Sequence, residues 1–179
     1  MHKFSFEFGS VDMFTAYGFR IRKRHRLLKP PLRERKLIIP EKSGAYDFGA
    51  KYYDELSYLV ECDTIKELTE ADKREIAYLL SFKNRIVFWD EPDKYYIGRI
   101  YDAAEIEKVG GIGTYFPLTF ICDPFAYGAT VNVEIPSNGV YVPEYAGTAE
   151  TPTRIEIANN GSSATATVQI TIRTRRENY

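Results

Sequence analysis

The stretch Phe4-Ser5-Phe6-Glu7-Phe8 places an aromatic ring on every second residue. The same period returns in Phe19-Arg20-Ile21-Arg22 and again through Leu56, Tyr58, Val60 and Cys62. Alternation of this kind sends one face of an extended strand into a core and leaves the other in water, which a helix with 3.6 residues per turn cannot do. A chain with three such segments is committed to sheet. The 14 Tyr and 11 Phe agree, because aromatic side chains suit a pleated, half-buried surface. The first segment, the run from Phe19 to Leu27 and the run from Tyr52 to Asp63 are therefore expected as strands, the last of them central.

One helix stands out against this background. Thr69-Glu70-Ala71-Asp72 has the capping-box form, and Ile76, Ala77, Leu79 and Leu80 follow at helical spacing, so a helix is expected from Thr69 to Phe82. Arg85 to Asp90 then reads as a strand, Glu91-Pro92-Asp93-Lys94 as a turn, and Tyr95 to Ile106 as the returning strand of a hairpin. Gly110-Gly111-Ile112-Gly113 turns the chain into a further strand, Thr114 to Cys122. The polar, Gly-punctuated segment from Glu41 to Gly49 reads as a long loop. From Pro124 to Pro152 prolines and glycines interrupt short apolar stretches, as in a linker. Two last strands are expected at Arg154 to Ala158 and Thr165 to Thr174, joined by Asn159-Asn160-Gly161-Ser162-Ser163.

The fold class that follows is mainly β (α+β): an antiparallel β-sandwich with one α-helix and a β-hairpin, then an incomplete C-terminal β segment. The organisation is an N-terminal domain over 4–128, a linker over 129–152 and a C-terminal β segment over 153–179. Two strands alone do not make a stable domain.

Charge and cysteine usage narrow the function. With 24 Lys+Arg against 25 Asp+Glu there is no global pull toward polyanions, and no apolar run approaches the length of a membrane span. The start, Met1-His2-Lys3-Phe4-Ser5, has no apolar signal segment, so synthesis in the cytosol is expected and membrane insertion is not. Cys62 and Cys122 each end an apolar strand and read as small hydrophobes rather than a disulfide framework. His25 lies among arginines and His2 at the terminus, so no Ser-His or Cys-His pair suggests itself. The acids Asp90, Glu91 and Asp93 are accounted for by turn chemistry, and Gly110 to Gly113 lacks the Lys-Ser/Thr and the helix of a phosphate loop. No cofactor, metal or catalytic residue is expected. Asn160-Gly161-Ser162 reads as a turn rather than a glycosylation acceptor.

The one strong local feature is basic. Between Gly18 and Lys36 lie nine Lys+Arg and a single acid, Glu34. On a regular strand Arg20, Arg22, Arg24 and Arg26 share one face, giving either a candidate interface for an acidic partner or a polyanion, or a solvated strand face whose arginines pair with acidic neighbours. No aromatic interleaves with them for base stacking, so sequence-specific nucleic-acid reading is not expected.

Taken in order, the basic strand, "IIPEKSGAYDFGAKYYDE", the capped helix, "RIVFWDEPDKYYIGRIYDAAEIE" and "YFPLTFICDPFAYG" resemble the siphophage distal tail protein family over residues 4 to 128. Gly147-Thr148-Ala149-Glu150-Thr151-Pro152 with Thr153-Arg154-Ile155-Glu156-Ile157 looks like the entry strand of that family's galectin-like C-terminal sandwich. The resemblance implies a structural protein of the virion tail, assembled in the bacterial host cytoplasm. It would form a homo-hexameric hub ring between the tail-tube protein and a tail-tip or tail-associated protein, around a channel through which DNA passes without sequence-specific binding. Where many members carry Pro-Gly-Arg-Asp-Gly, this chain reads Pro40-Glu41-Lys42-Ser43-Gly44. The stretch after Phe125 is too short for the whole C-terminal sandwich, so galectin-like sugar binding is not assigned. The alternatives are a carbohydrate-binding β-sandwich module, motivated by the many tyrosines, and an enzyme acting on cell-wall polymers, for which no nucleophile or carboxylate pair stands out.

Overall fold

The computed structural model describes residues 2–49, 52–102, 107–109, 113–135, 139–142, 147–149, 151, 153–159 and 170, with 107–109 and 113 as backbone only. The chain divides into two compact units, Met1–Tyr141 and Val142–Tyr179. Among the described residues the first unit holds all the regular structure. In chain order this is β1 (Phe6–Phe8), β2 (Val11–Asp12), α1 (Met13–Tyr17), β3 (Phe19–His25), β4 (Lys36–Ile38), β5 (Ala45–Asp47), β6 (Leu56–Thr64), α2 (Glu70–Leu80), β7 (Asn84–Phe88), β8 (Tyr96–Ile100), β9 (Glu107–Val109) and β10 (Gly113–Cys122).

The main sheet runs β2-β1-β7-β8-β10-β6-β3, with β9 also paired to β10, and every pairing is antiparallel. β6 is central, as its alternation predicts: Leu56, Tyr58, Val60, Cys62 and Thr64 are all buried, while the residues between them are not. The sheet curls into a sandwich-like shell. Phe6 on β1 meets Phe19 on β3 at 6.2 Å, although those strands lie near opposite ends of the order, and the Ile21 N–H on β3 donates to the Phe4 carbonyl just before β1 at 2.7 Å. The rings of Phe6, Phe8, Phe19, Tyr58, Phe88 and Phe120 fill the enclosed space, each 0 or 1% exposed. Burial of such rings is the dominant stabilising term for a chain with no disulfide.

The mainly β, α+β reading holds, with one correction to the helix count. The turn after β2 is a second helix, α1. Its N-cap Asp12 accepts from the N–H groups of Phe14 and Thr15, and Gly18 closes it in the left-handed region at φ 74. One turn and a half is too short to show helical periodicity, which is why only its caps mark it in the sequence. The expected helix, α2, starts as its capping box requires: Thr69 Oγ1 accepts from the Asp72 N–H and Asp72 Oδ2 from the Thr69 N–H. It buries Ile76 and Leu80 against the core and ends at Leu80, two residues before Phe82.

Three further expectations change. Residues 41–49 are not simply a loop, because β4 and β5 pair across them as a separate two-stranded sheet. The composition shift at Pro124 is not where the chain leaves the body, since Tyr127 and Tyr95 exchange backbone hydrogen bonds at 2.7 and 2.9 Å, holding the segment after β10 against the start of β8. In the second unit residues 153–159 carry no strand, so the strand expected at Arg154 to Ala158 is not formed there. The strand expected at Thr165 to Thr174 falls, except for Ile170, outside the described residues, as do the Gly110 to Ile112 turn and Asn160 to Ser163.

Candidate functional site

The arginines of β3 do not share one face. Arg20 pairs with Asp63 and Ile21 with Cys62, but the register then shifts, so that Lys23 pairs with Glu61 and Arg24 with Val60. Arg22 is the extra residue of a β-bulge. Since side-chain direction alternates along a strand, one inserted residue turns everything after it to the opposite face. Arg20 and Arg22 therefore stay on the outer face, whereas Arg24, opposite core-facing Val60, turns inward. The four-arginine stripe expected from a regular strand is replaced by two pairs, each with its own acids.

On the outer face both arginines meet Asp63. Arg20 binds it through Nε at 3.1 Å and Nη2 at 3.0 Å, and Arg22 donates Nε to Oδ2 at 2.6 Å. Burial works to raise the Asp63 pKa, but the hydrogen bonds and charges of Arg20 and Arg22 outweigh it and hold the carboxyl below its ordinary value. A carboxyl depressed in the folded state contributes stability that is complete above the unfolded pKa of about 3.9 and is lost as pH falls through the native value. Asp63→Asn should therefore lower the thermal midpoint at neutral pH and flatten its decline below about pH 4. Melting curves across that range check this, and an unchanged acid limb would contradict it.

On the inner side, Arg24 forms a fork-to-fork pair with Asp90, Nη1 to Oδ1 at 2.8 Å and Nη2 to Oδ2 at 2.6 Å. Its guanidinium lies over Phe88 at 4.5 Å and near Trp89 at 5.6 Å, and the side chain is 8% exposed. Planarity is what allows Arg to stack and pair in two directions at once. Arg26 reaches Glu91 at 2.9 Å, and the Tyr96 hydroxyl donates to the same Glu91 oxygen at 3.1 Å. Asp90 and Glu91 of the β7–β8 turn are thus counterions to the basic strand, a role that their sequence context does not reveal.

Immediately after Arg26 the chain leaves the body as an arm, and every residue from 31 to 49 is exposed. Its stalk is two antiparallel legs: Leu32 bridges Tyr53, the Arg33 N–H donates to Tyr52 O at 2.8 Å, the Asp54 N–H to Pro31 O at 2.8 Å, and Arg33 Nε to Asp54 Oδ1 at 2.7 Å. The Tyr53 ring meets Phe125 at 5.0 Å, tying the base to the segment after β10. The outer half is the β4–β5 hairpin, in register Lys36 to Asp47, Leu37 to Tyr46 and Ile38 to Ala45. At its tip the Lys42 N–H donates to Ile39 O, closing a turn with Pro40 second and Glu41 third. Glu41 sits at φ 63, a backbone conformation that favours glycine.

The arm is apolar where no core covers it. Leu37, Tyr46 and Phe48 lie on one face, 51, 52 and 58% exposed, with the Tyr46 and Phe48 rings 4.8 Å apart, and Ile38 is 79% exposed on the other face. An isolated two-stranded hairpin is marginal in water, and its open edges and apolar face are templates for another protein surface. Two short apolar stretches flanking the five residues Pro40 to Gly44 carry this hairpin in the sequence. The pattern is weak because neither strand has a buried side to sharpen its alternation.

The remaining chemistry is quiet. Burial raises both thiols, Cys122 to about 12, so each is a protonated core side chain at neutral pH. His25 Nε2 stands 3.6 Å from Glu61. Among the described residues no group of three His, Cys, Asp or Glu is placed to hold a metal ion, and no helix is long and apolar enough to cross a membrane. A shallow hollow beside Tyr95 offers no bare ring, since Tyr95 already engages the Arg85 guanidinium at 4.3 Å and the Tyr127 ring at 5.4 Å.

Comparison with known proteins adds a structural relative. No protein-family model matches the chain, and no curated protein matches it. Among solved structures, it is similar to the crystal structure of SPP1 Dit (gp 19.1), described as a paradigm of the hub adsorption apparatus in Gram-positive infecting phages. The likeness has a TM-score of 0.54 and 26% sequence identity, and it covers 70% of this chain. The matched part is 52% of that structure, so this chain corresponds to about half of it. The basic strand, the arm and the curled sheet thus belong to a chain whose fold and sequence are similar to those of a phage tail hub protein.

Proposed function

We infer that this chain is a structural protein of a phage tail hub, of the distal tail type. Copies of it would close into a hexameric ring that joins the tail tube to the tail tip or baseplate and surrounds the path of the DNA. The observation that carries this reading is the joint likeness in fold and sequence to SPP1 Dit over 70% of the chain. A cyclic ring is heterologous, so each subunit must offer two different surfaces, one that reaches and one that receives. The exposed arm supports the reading as the surface that reaches.

The arginine strand takes a different part in this reading from the one its sequence suggests. Arg20, Arg22, Arg24 and Arg26 are each engaged with a carboxylate of the same chain, so we place the contact between copies on the arm rather than on the arginines. The same pairing supports a channel that DNA traverses without being gripped. The tail-tube protein and a tail-tip or tail-associated protein are the proposed neighbours along the axis.

Light scattering of the purified chain, alone and with its tail-tube protein, followed by negative-stain imaging of the same peak, tests the reading. The expected result is a ring of hexamer mass with a central hole, formed alone or on the tail-tube partner. A monomer under both conditions would overturn it.

A further inference from the structure

The geometry points to a second role for the inner arginines: Arg24 and Arg26, clamped to Asp90 and Glu91, set the direction in which the hairpin arm leaves the body before any partner is met. That the arm so directed serves assembly rests on the reading above; the clamp itself does not.

The argument begins at the bulge. Had the register of Arg20 and Ile21 run on unbroken, Arg24 would lie opposite Leu59 and point outward with Arg20. The bulge instead turns Arg24 into the shell, where one guanidinium makes two short hydrogen bonds to Asp90 and stacks on Phe88. A fork-to-fork pair fixes orientation as well as distance, which a single point charge does not. Two residues later Arg26 repeats the contact on Glu91, whose carboxylate is also held by the hydroxyl of buried Tyr96. The clamp is therefore anchored in the core at both points, through Phe88 and Tyr96. It ends five residues before the first stalk hydrogen bond, at Pro31, while the returning leg is tied to the segment after β10 by Tyr53 on Phe125 and the two legs to each other by the Arg33–Asp54 pair.

An arm held at both feet loses less freedom on docking than one that swings, and this pre-organisation strengthens association without a new contact. The design is economical in sequence terms, since it uses strand residues whose charge suggests an outward role. Arg24 and Arg26 act here as positioning residues, because what they would help to bind is met by Leu37, Tyr46 and Phe48, not by themselves.

The test is a distance measurement. Native Cys62 and Cys122 are 0 and 2% exposed, so nitroxide labels attach selectively to Ser43→Cys at the arm's tip and Ala71→Cys on α2, both exposed sites. Dipolar spectroscopy on labelled protein diluted into unlabelled protein should give one narrow distance distribution. Arg24→Gln with Arg26→Gln should broaden it at least twofold, and Arg24→Lys, which keeps the charge but loses the fork, should broaden it by less. If the double variant fails to fold, Asp90→Asn with Glu91→Gln removes the clamp from its acidic side and should give the same broadening. A folded variant of either kind with a distribution as narrow as the parent's would overturn the clamp. Where the parent assembles, a broadened variant should need at least tenfold more protein to do so. Equal assembly would overturn the link between clamp and docking, whereas a parent that never assembles counts against the ring alone.

Discussion

Replacing Leu37, Tyr46 and Phe48 together by serine is expected to abolish assembly while leaving the body folded. The three side chains form the exposed apolar face of the hairpin, each more than half exposed, and none belongs to the buried core. Substitution of exposed residues away from caps and strained turns changes folding stability by about 0.5 kcal/mol or less at each site. Their contribution at an interface is larger, because apolar and aromatic anchors lose roughly 1–2 kcal/mol each when truncated. Three of them amount to about 3–6 kcal/mol per contact, on the order of a hundredfold to ten-thousandfold in affinity, and a closed ring repeats the loss at every joint. Sedimentation velocity over a concentration series should show the parent's ring replaced by monomer, with far-ultraviolet dichroism and the melting transition of the body preserved. Rings that persist at the parent's concentration would move the self-contact away from the arm. Loss of the fold would show that the arm supports the body after all.

Why the sequence shows so much of the body and so little of the arm follows from what burial does to a pattern. Phe6 and Phe8, or Leu56 through Cys62, alternate because a core accepts one face and refuses the other, and that asymmetry is written into residue type. β4 and β5 have no buried face, so Lys36-Leu37-Ile38 and Ala45-Tyr46-Asp47 carry little period, and Pro40 to Gly44 dominates the reading as a loop. The bulge at Arg22 is invisible for another reason: its effect is a change of register, and nothing in Phe19-Arg20-Ile21-Arg22-Lys23-Arg24 marks where the register slips. Four arginines at even numbers look like one face until a partner strand is placed beside them. Asp90 and Glu91 suffer the same ambiguity, since turn chemistry already accounts for them and their arginine partners are far away in sequence. Gly98 is a further case. In the fold a Cβ there would lie 2.5 Å from Cys122 Sγ and 2.9 Å from the Ile121 carbonyl, so its role is to admit the neighbouring strand, which its place inside a strand sequence does not disclose.

The largest loss of stability is expected at Phe6, and it separates the body's needs from the arm's. Phe6 is fully buried, and its ring lies 5.7 Å from Phe120, 6.2 Å from Phe19 and 6.2 Å from Phe88. Those partners sit on β10, β3 and β7, so this one ring joins the beginning, middle and end of the curled sheet. Removing it withdraws apolar area from the core and leaves a cavity that cannot collapse unless strands on several sides move together. Phe6→Ala should cost about 3–5 kcal/mol, against a total stability on the order of 5–15 kcal/mol for a domain of ordinary size. In urea the midpoint should fall accordingly with the slope unchanged, since the surface exposed on unfolding is nearly the same. Phe82→Ala is the matched control: the same chemical change at a side chain 49% exposed on the outer side of the helix end should shift the midpoint by no more than about 0.5 kcal/mol. Equal shifts at Phe6 and Phe82 would mean that the sheet does not close around Phe6. A large shift at Phe6 with a null effect at Phe82 would place the protein's stability in the aromatic shell. The arm could then be altered at its tip, where Glu41 sits in a glycine-favouring turn, without endangering the fold that carries it.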